Sequence, residues 1–153
     1  AQKNPVLALP HILRGKDSQK GRQLMENWLA AGADTFLVRS LEQLGLLKEL
    51  SRSAVISVIT DANLYTWNTR AEQFLLKTTG TQKNLRIIST TMPLELTAQE
   101  LAQTKNAVLP RELIVYTHLP LMVSEQCVKK TLGKCDGANG RMTMTGYRQQ
   151  YQV

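Results

Sequence analysis

Short, nearly continuous runs of apolar and β-branched residues recur at wide intervals along the chain, at positions 6–9, 35–38, 54–59, 85–88 and 113–116. Alternating apolar and polar positions would mark a sheet with one wet face. Continuous runs predict strands buried on both faces, the habit of parallel sheets. Between the runs the period becomes helical. After Ser18, the residues Leu24, Met25, Trp28 and Leu29 share one face, and Gly32 is placed to end that helix. Ser40 and Gln43 have the spacing of a capping box that opens a helix over 41–50. Asn68 is placed to cap the stretch carrying Ala71, Phe74, Leu75 and Leu76, which stops at Gly80. Thr97 and Glu100 repeat the capping-box spacing before a short helix around Leu101.

The resulting order, β-α-β-α-β-α-β-α-β, predicts an α/β fold with right-handed crossovers and a parallel sheet. Five β/α units fall short of the eight strands of a closed TIM barrel. Two architectures fit: a partial TIM-like barrel, and a self-contained five-stranded doubly wound sheet. The chain has no GxGxxG or GxxxxGK[ST] loop, which weakens the nucleotide-binding form of the second. Past Tyr116 the helical period fades. Residues 1–118 therefore read as five β/α units, and 119–153 as a cysteine-bearing loop and an extended C-terminal segment. Within the latter, 136–140 reads as a turn, 141–145 as an added strand and 147–153 as a further extended piece or a frayed end.

With 153 residues, 42% of them hydrophobic and 20% charged, the chain is long enough for one buried core. No apolar run approaches the roughly 20 residues that span a bilayer. The first residues show neither an initiator Met nor an export signal, so the chain is expected to be an interior piece of a longer protein. Two cysteines without an export signal point to a reducing compartment, the cytoplasm. The net charge of +7 favours a polyanionic partner, because neutralised phosphates release counterions. Only Lys129 and Lys130 are adjacent, however, and such scattered charge is more simply a solvated basic surface. Aromatic residues make up 5% of the chain, and from that scarcity no base-stacking platform is expected.

In parallel β/α folds ligands sit at the carboxyl ends of the strands. Just past the predicted strands lie His11 and Arg14, then Arg39, then Asp61 and Asn63, then Glu95, then His118. Strand ends are polar in any case, and Asp61 with Asn63 also fits an Asx turn. His11 and His118 are the only histidines, hence candidate acid–base groups, although a histidine past a strand is more often structural. Glu95 follows Pro93 in a non-helical stretch, which favours a carboxylate held inward.

Cys127 and Cys135 form a C-x7-C loop with one glycine and three lysines. Zinc sites normally bring a tighter cysteine pair, and iron–sulfur clusters usually take four thiolates. Lysines beside thiols favour thiolate, which serves a metal and a nucleophile alike. Metal ligation, a reactive thiol and an unliganded cysteine all remain open on spacing.

One stretch is more specific. The apolar run 113–116, then Leu119, Pro120, Leu121 and Met122, then Cys127 and Cys135, resembles the collagenase-like peptidases of unassigned catalytic type, family thirty-two of that group. Residues 59–68, with Asp61, Asn63 and Asn68, are similar to that family's strand-three motif. Residues 89–96, with Glu95, are similar to its strand-four motif, and 5–14 to an earlier strand that ends in Arg. Two positions depart from the pattern: Thr117-His118 stands where Gly-Arg is common, and 145–148 where an Asp-Arg pair is usual.

The resemblance implies a TIM-like barrel whose opening strands are missing here. It also implies four clustered cysteines that hold a [4Fe–4S] cluster in members known as redox enzymes. Cys127 and Cys135 match the first two, and the second pair would lie beyond Val153. Family members carry two labels, protease and oxygen-independent hydroxylase of tRNA or rRNA bases or of a quinone precursor. The chain has no HExxH, no Ser-His-Asp order and no Cys-His pair at telling spacing, so nothing independent supports proteolysis. A basic chain with a thiol pair fits RNA hydroxylation better. The expectation is therefore a piece of an iron–sulfur-dependent, oxygen-independent RNA hydroxylase, the alternatives being a collagenase-like protease (a hydrolase) and a non-catalytic binding module. Glu95 and His118 are the candidate catalytic residues, Asn63, Asn68 and Arg14 the candidate substrate contacts, and Cys127 and Cys135 the candidate cluster ligands. RNA is the expected partner, with no membrane. The chain alone is expected to hold no cluster, to be inactive, and to self-associate through open sheet edges.

Overall fold

Parallel strands cannot be joined by a tight turn, so each must be followed by a crossover long enough to return the chain to its starting edge. The computed structural model describes residues 5–13, 15–103, 107–118, 128–133, 143–146 and 149–152. Its main sheet holds β1 (Val6–Ala8), β2 (Thr35–Val38), β3 (Ile56–Thr60), β4 (Leu85–Thr91) and β5 (Arg111–Glu112), in the order β1-β2-β3-β4-β5 and parallel throughout. The crossovers carry α1 (Lys16–Ala30), α2 (Leu41–Leu50), α3 (Thr69–Thr79) and α4 (Ala98–Gln103). The expected β/α alternation is present. A doubly wound sheet reverses its strand order at a switch point, and among the described residues this one does not.

The chain divides into two compact units, Ala1–Leu119 and Pro120–Val153. The second contains a four-residue helix, α5 (Val128–Thr131), and an antiparallel pair, β6 (Thr143–Gly146) and β7 (Gln149–Gln152).

Burial in the sheet alternates, which corrects the expectation of strands covered on both faces. Phe36, Val38, Ile56, Val58, Leu85 and Ile87 pack with Met25 of α1, Leu44 and Leu47 of α2 and Leu75 of α3. Their neighbours Leu37, Ser57 and Ile59 are half-buried, and Arg86 and Ile88 are exposed. The cause is topological. Crossovers of one hand in a sheet whose order never reverses put every helix on the same side. Between Val58 and Ile59 the register with β4 slips, so that Val58 faces Ile87 but Ile59 faces Ser89. Ile88 is the extra residue of a β-bulge, and the slip lines Thr60 up with Thr90.

Helix ends follow local chemistry. Ser40 Oγ accepts from the Gln43 N–H at 3.3 Å, and Asn68 Oδ1 from the Ala71 N–H at 3.0 Å. At α4 the capping box is complete: Thr97 Oγ1 accepts from the Glu100 N–H, while Glu100 Oε2 accepts from both the backbone N–H and the hydroxyl of Thr97. Those two donors, the backbone N–H first, hold the Glu100 carboxyl below the usual carboxylate range. The helix α1 begins at Lys16 rather than after Ser18, whose hydroxyl instead donates to Glu42. It closes as a Schellman motif, with Gly32 N–H on Leu29 O, Ala33 N–H on Trp28 O and Gly32 at φ 90°.

The fifth strand is displaced from its expected place. It pairs Arg111 with Thr90 and Glu112 with Thr91, where β4 ends. The apolar run at 113–116 therefore lies beyond the strand, with Leu113 59%, Val115 88% and Tyr116 87% exposed. A long-range ion pair accompanies this register. Glu72 on α3, fully buried, accepts from Arg111 Nη2 at 2.9 Å and from the Val108 N–H at 2.9 Å. No local pattern announces such a partner.

Two stability measurements follow. Gly32→Ala, which puts a β-carbon on a left-handed residue, should cost about 1 kcal/mol in urea unfolding. Glu72→Ala should cost about 3 kcal/mol, because it leaves the Arg111 guanidinium largely out of water without its carboxylate.

Candidate strand-end site

The sheet delivers backbone carbonyls and polar side chains to its carboxyl edge, where each strand passes into a loop. Arg39, directly after β2, links that edge together. Its Nε donates to Asp61 Oδ2 at 2.7 Å, and its Nη1 donates to the Leu9 carbonyl at 2.9 Å. Asp61 follows β3 and Leu9 follows β1, so one planar guanidinium ties three strand ends. The ion pair is mostly out of solvent, at 21% exposure for Arg39 and 14% for Asp61. The other carboxylate oxygen of Asp61 accepts from the Ala62 N–H at 2.7 Å and caps a single 3₁₀ turn, Ala62–Leu64.

Gln43 completes the brace from α2. Its Oε1 accepts from the Arg39 N–H at 2.7 Å, and its Nε2 donates to the Pro10 carbonyl. It is fully buried. Beside this brace, His11 and Asn63 meet, with Asn63 Nδ2 3.3 Å from His11 Nδ1. With the amide donating, the imidazole carries its proton on Nε2 and offers a donor there.

A second buried cluster lies at the ends of β3 and β4. Thr60 Oγ1 donates to Thr90 Oγ1 at 2.8 Å, and the Thr66 and Thr90 hydroxyls are 2.6 Å apart. All three residues are fully buried. Thr66 belongs to the loop between β3 and α3, so the bond fastens that loop to the sheet. Next to the carboxyl ends of β4 and β5, a cleft of about 350 Å³ is lined by Met92, Leu101, Leu109, Arg111 and Glu112, among others. Ser89 Oγ donates to the Glu112 carboxylate at its rim.

Of the strand-end residues named from the sequence, the structure brings four into two hydrogen-bonded pairs, Arg39 with Asp61 and His11 with Asn63. Asn68 is exposed, with its Oδ1 engaged as the α3 cap. Glu95 is exposed rather than held inward: Met92 and Pro93 are buried, and the chain turns outward at Leu94. His118 is also exposed and lies beyond β5, its ring edge-on to Tyr116 at 6.3 Å. Arg14, Cys127 and Cys135 lie outside the described residues. Sequence reasoning missed Gln43 and Thr66. Gln43 looks like the distal member of a capping box, and only its contact with Pro10, far off in sequence, shows the larger role.

Among the described residues no group of three or more His, Cys, Asp or Glu is placed to hold a metal ion. The two cysteines of the chain supply half the thiolates of a [4Fe–4S] cluster, so its donor set alone does not fit one. No helix among the described residues is long and apolar enough to cross a membrane. In comparisons with known proteins, no family model, no curated protein and no solved structure matches the chain.

The Arg39 brace is testable by itself. Arg39→Met should cost about 3 kcal/mol in chemical denaturation, since Asp61 stays mostly buried without its cation. Arg39→Lys should recover little of that loss, because an ammonium cannot hold a carboxylate and a carbonyl in one planar fork.

Proposed function

We propose that the chain is the β/α part of a longer iron–sulfur-dependent, oxygen-independent hydroxylase that acts on tRNA or rRNA in the cytoplasm. The observation that carries the reading is the stretch after the fifth β/α unit, in which Leu119, Pro120, Leu121 and Met122 precede Cys127 and Cys135. The sheet supports the finer fold proposal that accompanies it. Five parallel strands in strict sequence order match a run of consecutive strands in a TIM-like barrel, and the half-buried face carrying Leu37, Ser57 and Ile59 would line its interior.

In this reading the carboxyl edge of the sheet is the mouth of the site. Arg39, Asp61 and Gln43 hold the mouth rigid, because their polar groups are spent on one another and on the carbonyls of Leu9 and Pro10. His11 and Asn63 contact substrate beside that brace. Glu95 and His118, both exposed, act as acid–base groups, with Asn68 and Arg14 as further substrate contacts. Cys127 and Cys135 would be two ligands of the cluster, which would need further thiolates from outside this chain and would supply one-electron chemistry when bound.

Purifying the full-length protein without oxygen and measuring iron and acid-labile sulfide tests this directly. The expected result is about four of each per chain. Mass spectrometry of nucleosides from tRNA and rRNA should show one hydroxylated nucleoside disappearing when the gene is deleted. An iron-free protein that cleaves gelatin would establish the protease instead. A metal-loaded protein whose deletion leaves every RNA nucleoside unchanged would point to a binding module.

A further inference from the structure

The loop between β3 and α3 carries two aromatic rings that the hydrophobic core does not use. Tyr65 is 56% exposed and Trp67 44% exposed, with ring centroids 6.4 Å apart and planes tilted by 43°. Composition argued against such a feature, since aromatic residues are only 5% of the chain. The arrangement offsets the scarcity, because two of the few rings share one loop at the carboxyl edge of the sheet.

That loop is held at several points. Asp61 caps its first turn, and Asn68 caps the helix that follows. Between the two rings, Thr66 is fully buried and bonded to Thr90. The Trp67 N–H reaches back to the Tyr65 carbonyl at 2.8 Å. Tyr65 itself adopts φ 51° and ψ 50°, the left-handed region, and is the only non-glycine residue with positive φ among those described. A bulky side chain there costs on the order of 1 kcal/mol, and strain of this kind concentrates at binding and active sites. Burying Thr66 while turning both neighbours outward is what this backbone accomplishes. Asn63, Asn68 and Arg70, all exposed, are close to the rings in sequence, and Asn63 also meets His11.

Two ring faces in a polar rim suit a flat ligand with hydrogen-bonding edges better than an apolar protein surface. The excess of nineteen Lys and Arg over twelve Asp and Glu favours attachment of that flat group to an anionic backbone. We propose that Tyr65 and Trp67 form a stacking platform for a nucleobase of single-stranded RNA at the strand-end mouth. This deepens the RNA-modifying reading above and rests on it for the identity of the polymer. Stacking on an aromatic face is tolerant of base identity, so the platform contributes affinity and placement, and base selection is left to the polar rim.

Titrating a short, dye-labelled single-stranded oligoadenylate with the chain while following the anisotropy of the dye, a readout that needs no tryptophan, tests the proposal. In the parent, quenching of tryptophan emission is a second readout: Trp28 is half-buried beside Phe36, so it reports mainly on Trp67. Trp67→Ala should weaken binding by about 5- to 150-fold, the range for one stacked base. Trp67→Phe should restore most of the affinity. Tyr65→Asn, which tolerates the left-handed turn but lacks the ring, should also weaken binding. Circular dichroism and the remaining Trp28 emission confirm that each variant is folded. A folded Trp67→Ala that binds oligoadenylate as tightly as the parent overturns the platform and leaves the RNA reading standing. The platform also falls if the parent ignores oligoadenylate, or if a neutral glucan binds in its place and is lost in Trp67→Ala. Failure of the enzyme reading shows separately, in RNA nucleosides that stay unchanged on gene deletion.

Discussion

A sheet whose parallel strands follow one another in sequence order has no way to share its helices between two faces. Each crossover of the same hand lands on the same side, so one face acquires a packed helical layer and the other acquires nothing from the crossovers. The rest of the β/α unit depends on that asymmetry. Phe36, Val58 and Ile87 lie at matched register positions across three strands and face the helices. Their neighbours Leu37 and Ile59 are apolar as well, yet only half-buried. Burying apolar area yields about 25 cal/mol per Å², so the second face is an unused source of stability. Nearly continuous apolar strands with one helical layer make sense physically where the other face has a use.

The same asymmetry explains why polar order is concentrated at the carboxyl edge. With helices on one side, the loops leaving β1, β2 and β3 are neighbours in both sequence and space. Their backbone carbonyls at Leu9 and Pro10 need donors. Arg39 and Gln43 supply them, and Asp61 neutralises the charge thereby brought in. Neither residue could do this from a loop free to move. Arg39 leaves a central strand, and Gln43 is fixed by the first turn of α2. The brace thus turns strand register into the placement of His11 and Asn63.

Much of this was legible in the sequence, for reasons that separate local from long-range chemistry. The caps at Ser40, Asn68 and Thr97 could be read because donor and acceptor lie within one helical turn. The set of His11, Arg39, Asp61 and Asn63 could be read because strand ends in a parallel sheet converge whatever their loops contain. The fifth strand could not. Its apolar run at 113–116 has the composition of a buried strand, but pairing stops where β4 stops, and Glu72 fixes Arg111 from a distant helix. Glu95 was misplaced for a related reason. Pro93 shows that the segment is not helical, but not which way it faces. Gln43 and Thr66 are ordinary polar residues until Pro10 and Thr90 are brought beside them.

Thr66 also shows how a loop can be rigid and exposed together. Within three residues the chain presents a ring, buries a hydroxyl and presents a second ring. An extended backbone would turn alternate side chains to opposite sides, but it would not by itself bring Thr66 to within 2.6 Å of Thr90 and fold the next N–H back onto the Tyr65 carbonyl. The left-handed residue supplies the needed bend, and glycine would have supplied it with less strain. That a tyrosine stands there means the position carries a ring at some cost to stability. Aromatic rings left outside a core lose the burial that normally justifies their size. Held by a buried threonine at the edge of a sheet braced by Arg39, Tyr65 and Trp67 are pre-organised. Stacking a ligand on them would cost this loop little further ordering, which is the condition under which a small contact area yields useful affinity.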